Sequence, residues 1–250
     1  MRIRGWAAGL GLVLAASGVF TSPSASAAVA TPRVGQCYNY TFAQANTASA
    51  SPTVAVSCFA RHTAVTFYVG TVSGSAARSS TPTAIAVVLQ VAQVCNLRLS
   101  SSLGSTVRLT RAFPANQVFV PTAAQWSAGA RFYRCDADLA SSNTSLAAIP
   151  SNFIPVIKTS TGVSRYRWCL TTRAATTSCA ATHYYSAITW VSLGTATAPY
   201  PGAAVTTRRA ESLCVGAISR LVKRRFAWYS VWPSSVNWAY GLRSATCFVH

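Results

Sequence analysis

The stretch PTAAQWSAGARFYRC, Pro121 to Cys135, is echoed at 233–247 by PSSVNWAYGLRSATC. Pro121, Trp126, Gly129, Arg131 and Cys135 fall at the same offsets as Pro233, Trp238, Gly241, Arg243 and Cys247. A chain that closes two stretches with the same five residues has to build one local structure twice, so a repeat is weighed before any fold is inferred. The echo continues upstream. Cys58 is followed by His62 and Cys179 by His183, and each His leads into a β-branched and aromatic run that reads as a strand and is punctuated by Gly70-Thr71 or Gly194-Thr195.

Cysteine usage sharpens this reading. The eight cysteines divide evenly, Cys37, Cys58, Cys95 and Cys135 in the first copy and Cys169, Cys179, Cys214 and Cys247 in the second. An even count in an exported chain points to disulfides rather than thiol chemistry. Bridging within a copy leaves three connectivities for each, and nothing in the spacing selects among them. Export is expected from the N-terminus. Arg2 and Arg4 precede an apolar run from Trp6 to Phe20, and Ala25-Ser26-Ala27 offers a small-residue cleavage site. This reads as a signal peptide over 1–27, and no later run is expected to form a transmembrane helix. The mature chain is therefore expected outside the cytoplasm.

Between the strands each copy carries one long helix. Ser80-Thr81-Pro82 reads as the start of the first, which continues through AIAVVLQVAQVCNLRL. The second is expected from about Val205, with Leu213, Cys214, Ala217, Ile218 and Leu221 inward and Arg220, Lys223, Arg224 and Arg225 outward or at its end. Strands at 117–120 and 226–232 then precede the two Trp motifs. The fold class expected is α+β: two tandem disulfide-stapled modules, 28–138 and 163–250, each an antiparallel sheet packed against one main helix. The Ser-, Thr- and Asn-rich stretch 139–162 reads as a linker, with Phe153-Ile154 and Val156-Ile157 able to pack on a module.

The order Cys, Cys-x3-His, helical Cys, then P-x4-W-x2-G-x-R-x3-C resembles the septum formation family of actinobacterial envelope proteins. That resemblance covers most of 34–250 and implies a division or envelope setting without a defined reaction. Family members typically have Pro before the His and an acid shortly after it. Here Arg61 and Thr182 precede the two histidines, and Val65 and Ser186 stand where the acid is expected.

Charge is the other constraint. Nineteen Arg and two Lys oppose Asp136, Asp138 and Glu211, a formal +18. A field of that sign favours polyanions: anionic wall polymers, an acidic membrane face or, less readily, nucleic acid. The polyanion-binding candidate is Arg220, Lys223, Arg224 and Arg225, with Phe226, Trp228 and Tyr229 just beyond. The competing reading is a solvated helix end whose cations suit the macrodipole.

Catalysis has little to work with. There is no G-x-S-x-G, no H-E-x-x-H and no P-loop. Asp136 and Asp138 share a strand face but have no counterpart in the second copy, and read as local charge balance for Arg131 and Arg134. Zinc held by Cys58, His62, Cys179 and His183 competes with disulfide formation outside the cell. His62, Trp126, Gly129, Arg131, His183, Trp238, Gly241 and Arg243 are therefore assigned as structural elements of the repeat, with Arg131 and Arg243 placed to stack on the tryptophans. The expectation is a non-enzymatic, cofactor-free envelope protein that binds anionic polymers. The alternative is a protein-interaction or structural module of the division machinery with incidental charge. An extracellular hydrolase ranks third.

Overall fold

The computed structural model describes residues 31–45, 54–112 and 116–250; the expected leader, 1–27, lies outside them. The first half runs β1 (Cys37–Tyr38), α1 (Phe42–Ala45), β2 (Ala64–Thr71), α2 (Ile85–Leu103), β3 (Asn116–Phe119), α3 (Ala123–Ser127) and β4 (Phe132–Asp138). Two short helices follow, α4 (Phe153–Ile157) and α5 (Ser160–Arg165). The second half is β5 (Trp168–Leu170), β6 (Thr176–Ser178), β7 (Tyr185–Ser192), α6 (Ala203–Leu221), β8 (Trp228–Val231), α7 (Ser235–Ala239) and β9 (Ser244–Val249). The strands form two antiparallel sheets, ordered β1-β2-β4-β3 and β6-β5-β7-β9-β8. The fold class is α+β.

Both sheets have the same centre. In the first, β2 slips register between Thr66 and Tyr68, so that Tyr68 faces Cys135. In the second, β7 slips between Ala187 and Thr189, so that Thr189 faces Cys247. One extra residue on one strand is a bulge, which bends the strand and raises its twist. Against each sheet lies the long helix of its half. Val87, Val91, Cys95, Leu99 and Leu103 recur every four residues on α2 and are all buried, the spacing that keeps one helix face on a sheet. Each helix is tied to its central strand by a disulfide, Cys95–Cys135 and Cys214–Cys247. The other two disulfides, Cys37–Cys58 and Cys169–Cys179, tie the first strand of each half, β1 and β5, to the turn before the histidine. All eight cysteines are thus bridged within their own half, first to second and third to fourth.

Several expectations need correction. Residues 139–162, read as a linker able to pack through Phe153 and Ile157, do pack, and they also bury Leu139 and Ile149 in the main core. Burying these apolar side chains outweighs what the polar composition suggested. That core also takes in Tyr166, Trp168, Leu170, Ala187 and Phe248, so it runs from the first sheet into the second. Helix α2 starts at Ile85 rather than at Pro82; a turn closed by the Ala84 amide on the Thr81 carbonyl comes first. Helix α6 ends at Leu221, leaving Lys223, Arg224 and Arg225 in the following loop. Its buried stripe is Thr206, Ala210, Cys214, Ala217 and Ile218, while Leu213 on the flank and Leu221 in the last turn are exposed. Gly70 does not end its strand but lies inside β2, where a Cβ would come within 2.4 Å of the Tyr133 ring.

The halves touch through specific groups. Gln93 and Asn96 of α2 donate to the carbonyls of Ala239 and Tyr240, at 3.0 and 2.7 Å. Arg108 reaches across to Ser244 and places its guanidinium 4.5 Å from the centre of the Trp190 ring.

Candidate functional site

The repeated Trp motif folds the same way twice. Thr122 caps α3 by accepting from the Gln125 amide at 3.0 Å, and Gln125 returns the bond in a capping box. Ser234 caps α7 by accepting from Asn237 at 3.2 Å. Gly129 and Gly241 both have φ +92°, which a side chain disfavours, and each turns the chain out of its helix. The arginine two residues on folds back over the tryptophan, with guanidinium-to-ring distances of 3.9 Å for Arg131 and 4.3 Å for Arg243. Both also donate to the carbonyl of that tryptophan. The indole N–H donates to Ser79 at 2.9 Å in the first half and to Ala198 at 2.8 Å in the second. Trp126 and Trp238 are each 3% exposed. Ring face and ring N–H are engaged internally in both copies; Arg131 also bonds Ala77 through Nε, whereas the Nε of Arg243 is buried without a partner, and the motif closes its part of the fold.

The histidines share a turn but not an environment. Nδ1 of His62 contacts the Ala60 carbonyl at 2.8 Å, and Nδ1 of His183 contacts Ala181 at 2.9 Å. Residues 146–150 cover His62, with the Ile149 amide bound to its carbonyl, and it is 2% exposed. His183 is exposed. Neither has a carboxylate partner, and Cys58 and Cys179 are bridged to other cysteines.

Asp136 and Asp138 lie on β4, as a shared strand face requires, and both are fully buried. Asp136 accepts from Arg134 Nε at 2.8 Å and from Thr66 Oγ1 at 2.7 Å. Burial still pushes its pKa up, against the pull of Arg134. The Asp138 carboxyl is buried beside the Tyr40 hydroxyl, whose interaction with it offsets only a small part of the burial. Burial, then the Asp136 charge, holds Asp138 well above the usual carboxylate range. Sealed from solvent, its carboxyl is pushed toward the protonated form.

With those two acids inside, Glu211 is the only other acid in the sequence. The basic candidate residues Arg220, Lys223, Arg224 and Arg225 are all exposed. Arg208 and Arg209, which the sequence reading missed, extend the patch along the outer face of α6. Their signal was the helical period: Arg209 precedes Arg220 by three turns, about 16 Å along one face. The ion pair among the described residues, Arg134–Asp136, is elsewhere. The aromatics beyond the cluster are partly buried rather than open for stacking, Tyr229 lying 5.6 Å from Tyr185.

Among the described residues no helix is long and apolar enough to cross a membrane, and no group of His, Cys, Asp and Glu is placed to hold a metal. The model of the septum formation family matches residues 34–224. No curated protein and no solved structure matches. The chain belongs to the septum formation family, which places it in a division- or envelope-related role.

Proposed function

We propose that this family member is a secreted, non-catalytic envelope protein, two tandem copies of one module, that binds anionic wall polymers through the outer face of α6 and the loop after it. The observation that carries this reading is the sorting of charge. Two of the three acids are buried on β4, while Arg208, Arg209, Arg220, Lys223, Arg224 and Arg225 stand exposed together. Such a surface attracts a polyanion without needing a shaped pocket. The tandem reading is supported by the matching bulges, disulfides and Trp motifs of the halves. The non-catalytic reading is supported by acids sealed from solvent and histidines without an acid partner.

The test is co-sedimentation of the oxidised protein with purified walls, with and without their anionic polymers, from about 50 to 200 mM salt. Binding is expected to need the polymers, to fade as salt rises, and to drop when Arg220, Lys223, Arg224 and Arg225 are changed to Gln. Val205, Leu213 and Leu221 are exposed on the same helix and favour a second reading, a protein partner of the division machinery. Stoichiometric, salt-tolerant binding indifferent to the four substitutions would establish that instead.

A further inference from the structure

Phe59 is 96% exposed, the most exposed large apolar side chain among the described residues. It stands at the tip of the turn that joins Cys58 to His62, and the Cys37–Cys58 disulfide anchors the base of that turn. Cys58 Sγ lies 3.4 Å from the Gly35 carbonyl, which brings exposed Val34 and Arg33 to the same tip as exposed Arg61. No acid lies within this stretch of sequence, and the two nearest in the fold's first half are buried.

The second half supplies a control. Its turn, Cys179-Ala180-Ala181-Thr182-His183, is built by the same bonds. Ala60 and Ala181 each donate to the carbonyl three residues back, at 2.9 and 3.0 Å. Phe59 and Ala180 each donate to the preceding serine hydroxyl at 3.3 Å. Both histidines close the turn onto a carbonyl. The turn therefore forms with Ala and Thr where the first half carries Phe59 and Arg61. The fold does not call for these two side chains, and Phe59 contributes no burial in return for its exposure.

We propose that this tip docks on an anionic lipid bilayer, with Phe59 and Val34 entering the interface and Arg33 and Arg61 held at the headgroup phosphates. Among the described residues the tip offers exposed apolar and cationic side chains together and no acid, the chemistry of an anionic bilayer face. Aromatic and aliphatic side chains ringed by arginine suit that boundary, and the surplus of positive charge selects an anionic face. This surface is separate from the α6 patch, so it stands or falls independently of wall-polymer binding.

The experiment is vesicle co-sedimentation of the oxidised chain from Ala28, which holds every described element, using phosphatidylcholine vesicles with and without phosphatidylglycerol. Wild type is expected to bind only the anionic vesicles. Phe59→Ala, which copies the second half, is expected to weaken binding about tenfold at unchanged Tm, the loss of one inserted aromatic side chain. Phe59→Trp is expected to retain binding. Equal binding by wild type and Phe59→Ala overturns the proposal even if the α6 substitutions abolish wall binding. Failure of wild type to bind anionic vesicles overturns it too, and leaves a protein as the occupant of the tip.

Discussion

One step past the closing cysteine the first sheet carries Asp136 and the second Phe248; two steps further stand Asp138, still on β4, and His250, just past the end of β9. Around that difference the interiors diverge. The first half surrounds its acids with Thr66, Arg134, Tyr38 and Tyr40. In the second, Ala187 stands opposite Phe248, whose ring meets Trp168 edge-on at 5.3 Å. The frame of bulge, two disulfides and capped Trp turn is common to both. A frame fixed by covalent bonds and local hydrogen bonds tolerates either a polar or an aromatic filling. Each carries a cost of its own: the first half desolvates Asp136 and Asp138, and the second buries the Ser230 hydroxyl and the Arg243 Nε without a hydrogen-bond partner.

The disulfides give the largest expected effect. Cys95–Cys135 and Cys214–Cys247 close loops of similar length, 40 and 33 residues, so each should contribute about 2–5 kcal/mol. The helices they hold are not equally supported: α2 buries Val87, Val91, Leu99 and Leu103 and bonds to the other half, whereas the rest of the α6 stripe is Thr206, Ala210, Ala217 and Ile218. Hydrogen exchange on a Cys214→Ser/Cys247→Ser variant is expected to show α6 losing protection throughout. With Cys95→Ser/Cys135→Ser, α2 should keep most of its own. Equal loss in both would mean that the helices depend on their disulfides alike.

Next comes pH. Because the folded-state pKa of Asp138 is raised, the folded chain keeps a proton that the unfolded chain releases above about pH 4. The stability it contributes is full below the unfolded value and is lost as pH rises through the folded one. Tm is expected to fall with rising pH in wild type, and Asp138→Asn should flatten that fall. An unchanged profile would show that Asp138 does not retain its proton. Asp136 shifts in the same direction, so a residual slope is expected.

The two turn glycines are a finer test. Gly129→Ala and Gly241→Ala each force a side chain to φ +92°, for roughly 1–2 kcal/mol. A Cβ on Gly129 meets nothing within 4 Å, whereas on Gly241 it meets the Gln93 Cα at 3.4 Å. That is ordinary van der Waals contact, so denaturant unfolding should find the two substitutions similar in cost. The smallest effect expected is from Asn96→Ala, about 1 kcal/mol for the bond to Tyr240. Its counterpart by distance from the helical cysteine, Val215, makes no such bond, so Val215→Ala is expected to leave the contact between the halves unaltered.

Legibility followed the range of the interactions. The Trp motif could be read because its cap, glycine and arginine act within ten residues, and the strands and helices could be read from their periodicity. The inner face of α6 was read only in part: Cys214, Ala217 and Ile218 are buried, while Leu213 and Leu221 are not. Polar composition made 139–162 look like a linker, since the partners that bury Phe153 and Ile157 are distant in sequence. The exposure of Phe59 could not be read at all, because an aromatic residue before a strand looks like core until the neighbouring elements are placed.

The sequence by itself determined the recurring Cys-His and Trp motifs, the α+β class, the even sharing of cysteines between halves and the excess of positive charge, all of which rest on local spacing or on counting. Only the tertiary structure decided which cysteines pair, that two acids go inside and leave the surface basic, that His62 is covered while His183 is open, and that the halves share a core. Those outcomes depend on segments far apart in the chain meeting at contact distance, and burial, pairing and desolvation come into being only when they meet.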